Sequence, residues 1–190
     1  MLIYLHGLNS SSGSVKAGVL RKELAPSQVL APSYPAHDPD RAIAGLSEFL
    51  RRQPEESPPV IIGSSMGGFY GQYLARRFTF AHLFMINPAL EPWNLLRDHL
   101  GERMTTADGE TYGITQTLID STRKYGITTP CDGVETSLFL DRGDEVIDYR
   151  VAAARYRDCA RLMVFDGGDH GFQHMDSLID ALRRQLARHP

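Results

Sequence analysis

Cysteine is scarce in this chain: Cys131 and Cys159 are its only two among 190 residues. They form no CxxC pair and have no histidine pair nearby, which argues against a zinc site and a disulfide scaffold, so both are expected to be reduced. A long hydrophobic run is also lacking. The apolar start, Met1 to Leu5, has no basic leader and runs straight into His6 and Gly7, so neither a signal peptide nor a membrane span fits and a cytosolic location is expected. Positive charge is not in excess either, since 20 Lys and Arg stand against 23 Asp and Glu for a formal charge of -3. Without a broad basic field, neither nucleic acid nor an anionic membrane surface is expected as a partner. Internal repeats and low-complexity tracts are absent, and 42% hydrophobic with 23% charged residues is ordinary for a globular chain. One domain over residues 1–190 is expected, burying about 70% of the surface that the unfolded chain exposes.

Short β-forming runs recur at Leu2 to Leu5, Gln28 to Ala31, Val60 to Ile62, His82 to Ile86, Ser137 to Leu140 and Leu162 to Phe165. Most are separated by segments long enough for a helix, which predicts a six-stranded parallel sheet in an α/β fold. The runs are nearly continuously apolar, as strands covered on both faces require. Helices are expected over Val15 to Leu24, Asp40 to Arg52, Met66 to Arg77, Glu145 to Arg157 and Gln173 to Arg188. Asp40 is read as a cap, and the Pro-rich stretch 53–59 as a helix-to-strand loop. Residues from about 90 to 130 exceed an ordinary connection and are read as a small helical insertion, interrupted at Ala107, Asp108 and Gly109.

The chemistry concentrates at Gly63-Ser64-Ser65-Met66-Gly67, which follows Val60-Ile61-Ile62 and opens into a helical pattern. A strand, a G-x-S-x-G turn and a helix make a nucleophile elbow. Only Ser65 is flanked by glycine at both minus two and plus two, so Ser65 is the candidate nucleophile. A serine hydroxyl needs a base. His170 is the candidate, in the glycine-loosened stretch after the last strand, while His174 and His189 read as solvated and His37, His82 and His99 have no supporting context. A carboxylate must then orient the imidazole. Asp144 is best placed after the fifth run, although a simple helix N-cap is an alternative role for it and Asp141 is the next candidate acid. For the oxyanion, Met66 offers one backbone N-H and Leu8 the other, with Asn9 as the alternative. His6 is expected to brace its loop. The Ser10 to Ser14 stretch lacks the Gly-Lys-Ser/Thr of a Walker loop, so nucleotide binding there is rejected. No metal and no organic cofactor is called for.

His6-Gly7-Leu8-Asn9-Ser10-Ser11, the elbow through Tyr70, Ile86-Asn87-Pro88-Ala89, Gly143-Asp144-Glu145-Val146 and Gly167 to Phe172 together resemble the YqiA-type esterases, short bacterial α/β-hydrolases. The likeness spans nearly the whole chain. It implies a cytosolic activity on esters, acyl thioesters included; the first strand leads directly into the oxyanion loop, so a truncated α/β-hydrolase fold without the two leading strands of larger enzymes is expected. Ser65, Asp144 and His170 match that family's triad. The segment from about Glu91 to Cys131 carries no motif of the family. Its apolar residues, Trp93 and Leu118 among them, are expected either to line an acyl pocket or to pack the insertion onto the core. The expected partner is a small acyl ester or thioester. A peptidase, an acyltransferase or a non-catalytic ligand-binding protein of the same fold stays open at this level.

Overall fold

Leu2, Ile3, Tyr4 and Leu5 are all buried, and a strand apolar on both faces must lie inside a sheet with cover on both sides. In the computed structural model they form β1. The structure describes residues 1–54 and 57–188; His189, and residues 55 and 56 of the 53–59 loop, lie outside the described residues. In chain order the elements are β1 (Leu2–Leu5), α1 (Val15–Glu23), β2 (Val29–Leu30), α2 (Pro39–Arg51), β3 (Val60–Ser64), α3 (Met66–Leu74) and β4 (His82–Ile86). They continue with α4 (Pro92–Leu95), a 3-10 turn (Leu96–His99), β5 (Arg103–Thr105), β6 (Thr111–Gly113), α5 (Gln116–Arg123), β7 (Thr136–Asp141), α6 (Tyr149–Tyr156), β8 (Arg161–Phe165) and α7 (Met175–Leu186). No described helix is long and apolar enough to cross a membrane.

The main sheet has the order β2-β1-β3-β4-β7-β8, with every pairing parallel. Successive side chains fall on opposite faces. Ile3, Leu5 and Ile61 therefore pack with Leu46 of α2, Phe69 of α3 and Tyr156 of α6, while Leu2, Tyr4 and Ile62 pack with Leu20 of α1 and Leu182 of α7. Each Leu or Ile so buried contributes about 1.5–3 kcal/mol. Strand order turns back between β1 and β3, so the loops that leave their carboxyl ends diverge and open a crevice there.

Several expectations need correction. The insertion is not purely helical: β5 and β6 pair antiparallel, with the turn at Ala107 to Gly109 joining them. Helix α2 is capped by Asp38, whose side chain accepts from the Arg41 N-H, and Pro39 fills the first turn. Asp40 instead accepts hydrogen bonds from Lys124 (2.8 Å), Ser121 (3.1 Å) and the Tyr125 hydroxyl, which dock the insertion onto α2. The lysine bond, then the tyrosine bond, hold its carboxyl below the usual range. Helix α6 starts at Tyr149 and is capped by Asp148, not Asp144. Cys131 and Cys159 are not free thiols but a disulfide. They lie shortly before β7 and β8, which are neighbours in the sheet, and that adjacency brings their Cα atoms to 6.0 Å. His82 is buried, with Nε2 2.9 Å from Ser137 Oγ and its ring stacked on Phe84. Burial pushes its pKa down to about 4, against an opposing pull from Glu135.

Candidate active site

Three loops meet at the crevice beside β1 and β3. The central one is the elbow, where Ser65 adopts φ 53° and ψ -117° between β3 and α3. A non-glycine residue held at positive φ costs on the order of 1–3 kcal/mol, and it persists only where its surroundings enforce it. The Ser65 N-H donates to the Ile86 carbonyl (2.9 Å), and the Ser65 carbonyl accepts from Gly68 (3.0 Å). Both flanking glycines are required by close approach. A Cβ on Gly67 would collide with the Leu5 carbonyl, and one on Gly63 would meet the Gly67 backbone at 2.5 Å.

The loop after β8 brings His170 over the serine, with Nε2 3.1 Å from Ser65 Oγ. On the other side of the ring, Nδ1 lies 2.9 and 3.1 Å from the two carboxylate oxygens of Asp144. The structure thus brings together Ser65, His170 and Asp144. The Asp144 side chain is only 2% exposed, and its Oδ1 also accepts from the Val146 (2.9 Å) and Ile147 (2.8 Å) N-H groups. Those two bonds explain why it resembles a cap in sequence: it closes a tight turn ahead of α6 while facing the imidazole.

Asp141 has a different partner. It is fully buried at the end of β7 and engages His174, with Nδ1 to Oδ1 at 2.6 Å, while its other oxygen accepts from the Gln173 N-H (2.9 Å). His174 is therefore not a solvated surface residue; its ring also stacks on Phe165 at 4.4 Å. Asn87, which in the sequence stands out only within Ile86-Asn87-Pro88-Ala89, ties the loops together. Its amide donates to the Asp169 carbonyl (3.1 Å) and its Oδ1 accepts from the Asp141 N-H (3.0 Å). Glu145 accepts from the His170 N-H (3.0 Å). The sequence signal for Asn87, Asp141 and Glu145 is their position at or just beyond the ends of β4 and β7, a signal shared by Arg142 and Asp148, which do not join the network.

The third loop follows β1. Gly7 lies so close to Ser65 that a Cβ there would stand 3.2 Å from the serine Cβ. His6 braces this loop as expected: its ring stacks on Tyr34 at 4.2 Å, and the Tyr34 hydroxyl donates to the His6 carbonyl (2.6 Å). Burial lowers its pKa, keeping the ring uncharged at neutral pH. The Asn9 side chain accepts from the Tyr112 hydroxyl (2.7 Å) on β6, a bond that leaves its backbone N-H uninvolved.

A cavity of about 930 Å³ opens above Ser65 and His170, and Leu8 and Met66 are both on its wall. Leu95, Leu96, Met104, Val146 and Ile147 supply its apolar surface. Trp93 and Leu118 do not line it. The Trp93 ring is turned away to meet Phe69 edge-on at 6.4 Å, and Leu118 packs in the small cluster of Leu96, Ile114 and Ile119. The four-residue α4 presents Leu95 to the cavity and Trp93 to the core, so the acyl-pocket expectation passes from Trp93 to its neighbours on the same turn.

A family model described as Uncharacterised protein family (UPF0227) matches residues 1–185. Among solved structures, the chain is similar to Est1E from Butyrivibrio proteoclasticus, at 14% identity and TM-score 0.71, over 98% of this chain and 88% of that one. It is similar to Alpha/beta hydrolase domain-containing protein 10 from mouse, at 14% identity and TM-score 0.74, over 98% and 89%. A third likeness, at 18% identity and TM-score 0.69, is to the esterase domain of a Rhodothermus marinus protein, over 98% and 86%. The chain has the α/β-hydrolase fold.

Proposed function

The chain belongs to the UPF0227 family, and from that membership together with the site geometry we propose that it is a serine hydrolase of carboxylic esters or acyl thioesters. The observation that carries this reading is the continuous relay from Ser65 Oγ through both ring nitrogens of His170 to Asp144, built on a strained elbow at the cavity floor. The Rhodothermus marinus esterase domain among the structurally similar proteins supports it.

In the proposed reaction Ser65 Oγ attacks the acyl carbonyl as His170 Nε2 takes its proton. Asp144 holds Nδ1-H and stabilises the imidazolium. The backbone N-H groups of Leu8 and Met66 receive the oxyanion, each such donor contributing about 2.7–4 kcal/mol. His170 returns the proton to the departing alkoxide or thiolate, leaving an acyl-serine. Water then attacks with His170 again as base, the acid leaves, and the serine regains its proton.

Hydrolysis of a p-nitrophenyl ester series of graded acyl length tests this reading. Wild type is expected to turn the series over, and Ser65→Ala to fall to the uncatalysed rate. Leu95→Ala should change the preferred acyl length, whereas Trp93→Ala should lower the melting temperature and leave the preference unaltered. Equal hydrolysis by wild type and Ser65→Ala would overturn the reading.

A further inference from the structure

The chain has three lysines, Lys16, Lys22 and Lys124. Lys22 pairs with Glu23 and Lys124 with Asp40. Lys16 differs from both: it lies on the wall of the catalytic cavity with Ser65 and His170, and among the described residues no ion pair or side-chain hydrogen bond includes it. Half-burial there lowers its ammonium pKa, and the first turn of α1 holds no acid to neutralise it. The charge that acts on it is Asp169, next to His170 in sequence, which stays beyond ion-pairing distance. One Asp169 oxygen accepts from Gln173 (2.7 Å), and the other is buried without a partner. The acids on the cavity wall itself, Asp98 and Glu145, are exposed, and Glu145 is occupied by the His170 N-H.

An unpaired ammonium in a partly desolvated cavity is an incomplete interaction, and a substrate anion completes it. We propose that Lys16 is a specificity-determining residue that binds a carboxylate or phosphate on the leaving half of the substrate, the alcohol or thiol. The leaving half is the one that meets the proton of His170, which shares the cavity wall with Lys16, and the proposal places Lys16 against that half. The apolar wall of Leu95, Leu96 and Met104 is left for the acyl half. This inference rests on the serine-hydrolase reading and narrows it to esters and thioesters whose leaving group is anionic.

The test uses butyrate esters of three phenols, with a meta carboxylate, a meta phosphate or a neutral meta carboxamide. The readout is the ratio of kcat/KM for each anionic ester to that for the carboxamide. A hydrogen bond to a charged group corresponds to roughly tenfold to hundredfold, so the wild-type ratio should exceed about ten. Lys16→Met should bring it down by a similar factor, and Lys16→Arg should restore most of it. The carboxylate and phosphate arms show which anion is preferred. A wild-type ratio near one, or a Lys16→Met variant that slows all three esters by the same factor, would overturn the proposal while leaving the serine-hydrolase reading intact. Failure of wild type to hydrolyse any of the three would remove both.

Discussion

His170→Ala is expected to lower kcat by about 10⁵–10⁶-fold while the protein keeps its fold. The ring is the only hydrogen-bond partner of Ser65 Oγ among the described residues, at 3.1 Å, so without it the hydroxyl has nowhere to send its proton. The imidazole is partly exposed, with a side-chain exposure of 25%, and its loss removes little packing. The loop around it is held independently, through Asn87 on the Asp169 carbonyl and Asp141 on Gln173 and His174. The melting temperature should consequently stay within a few degrees of wild type. Steady-state kinetics beside a thermal melt decides the matter: a variant that keeps its activity would assign the base to another residue. His174, the other histidine in the loop, is already committed to Asp141.

Asp144→Asn should lower kcat by about 10⁴-fold, by a different route. An asparagine can keep an oxygen toward the Val146 and Ile147 N-H groups and then turns its amide toward His170 Nδ1. The imidazole must now accept at Nδ1 and carry its proton on Nε2, where it faces Ser65 and cannot act as base. The negative charge opposite the imidazolium is lost as well. Asp141→Asn makes the control. It replaces a fully buried carboxylate that holds two parts of the loop network, the Gln173 N-H and His174, so stability should fall, by about 3–5 kcal/mol, while the tautomer of His170 is untouched. If Asp141→Asn lost activity as Asp144→Asn is expected to, with an intact fold, the acid would be misassigned.

These two aspartates also show where sequence legibility ends. Ser65 can be read because the elbow writes its steric needs into fixed positions: Gly63 and Gly67 have no room for a Cβ, and the glycines stand two residues to either side. The four inner strands β1, β3, β4 and β7 can be read because burial on both faces leaves nearly unbroken apolar runs. Asp141 ends β7 and Asp144 stands three residues beyond it, and their difference lies in what crosses from the loop after β8. Asp144 meets His170 and Asp141 meets His174, four residues further on, and no local pattern encodes which partner goes with which. The hairpin of β5 and β6 escapes notice because three-residue strands are too short to show alternation. The disulfide is invisible for a related reason, since Cys131 and Cys159 become neighbours only through the adjacency of β7 and β8. Lys16 carries no motif at all. Its setting emerges only when the start of α1, the elbow and the His170 loop close around one cavity.

The serine itself is most directly tested by a fluorophosphonate, which reacts readily only with a serine activated by a neighbouring base and an oxyanion hole. Folded protein would be treated with the probe, digested and mapped by mass spectrometry, with Ser65→Ala and heat-unfolded protein alongside. One adduct per chain on Ser65, absent from both controls, is the expected result; an adduct on Ser64, or no adduct on the folded protein, would contradict it.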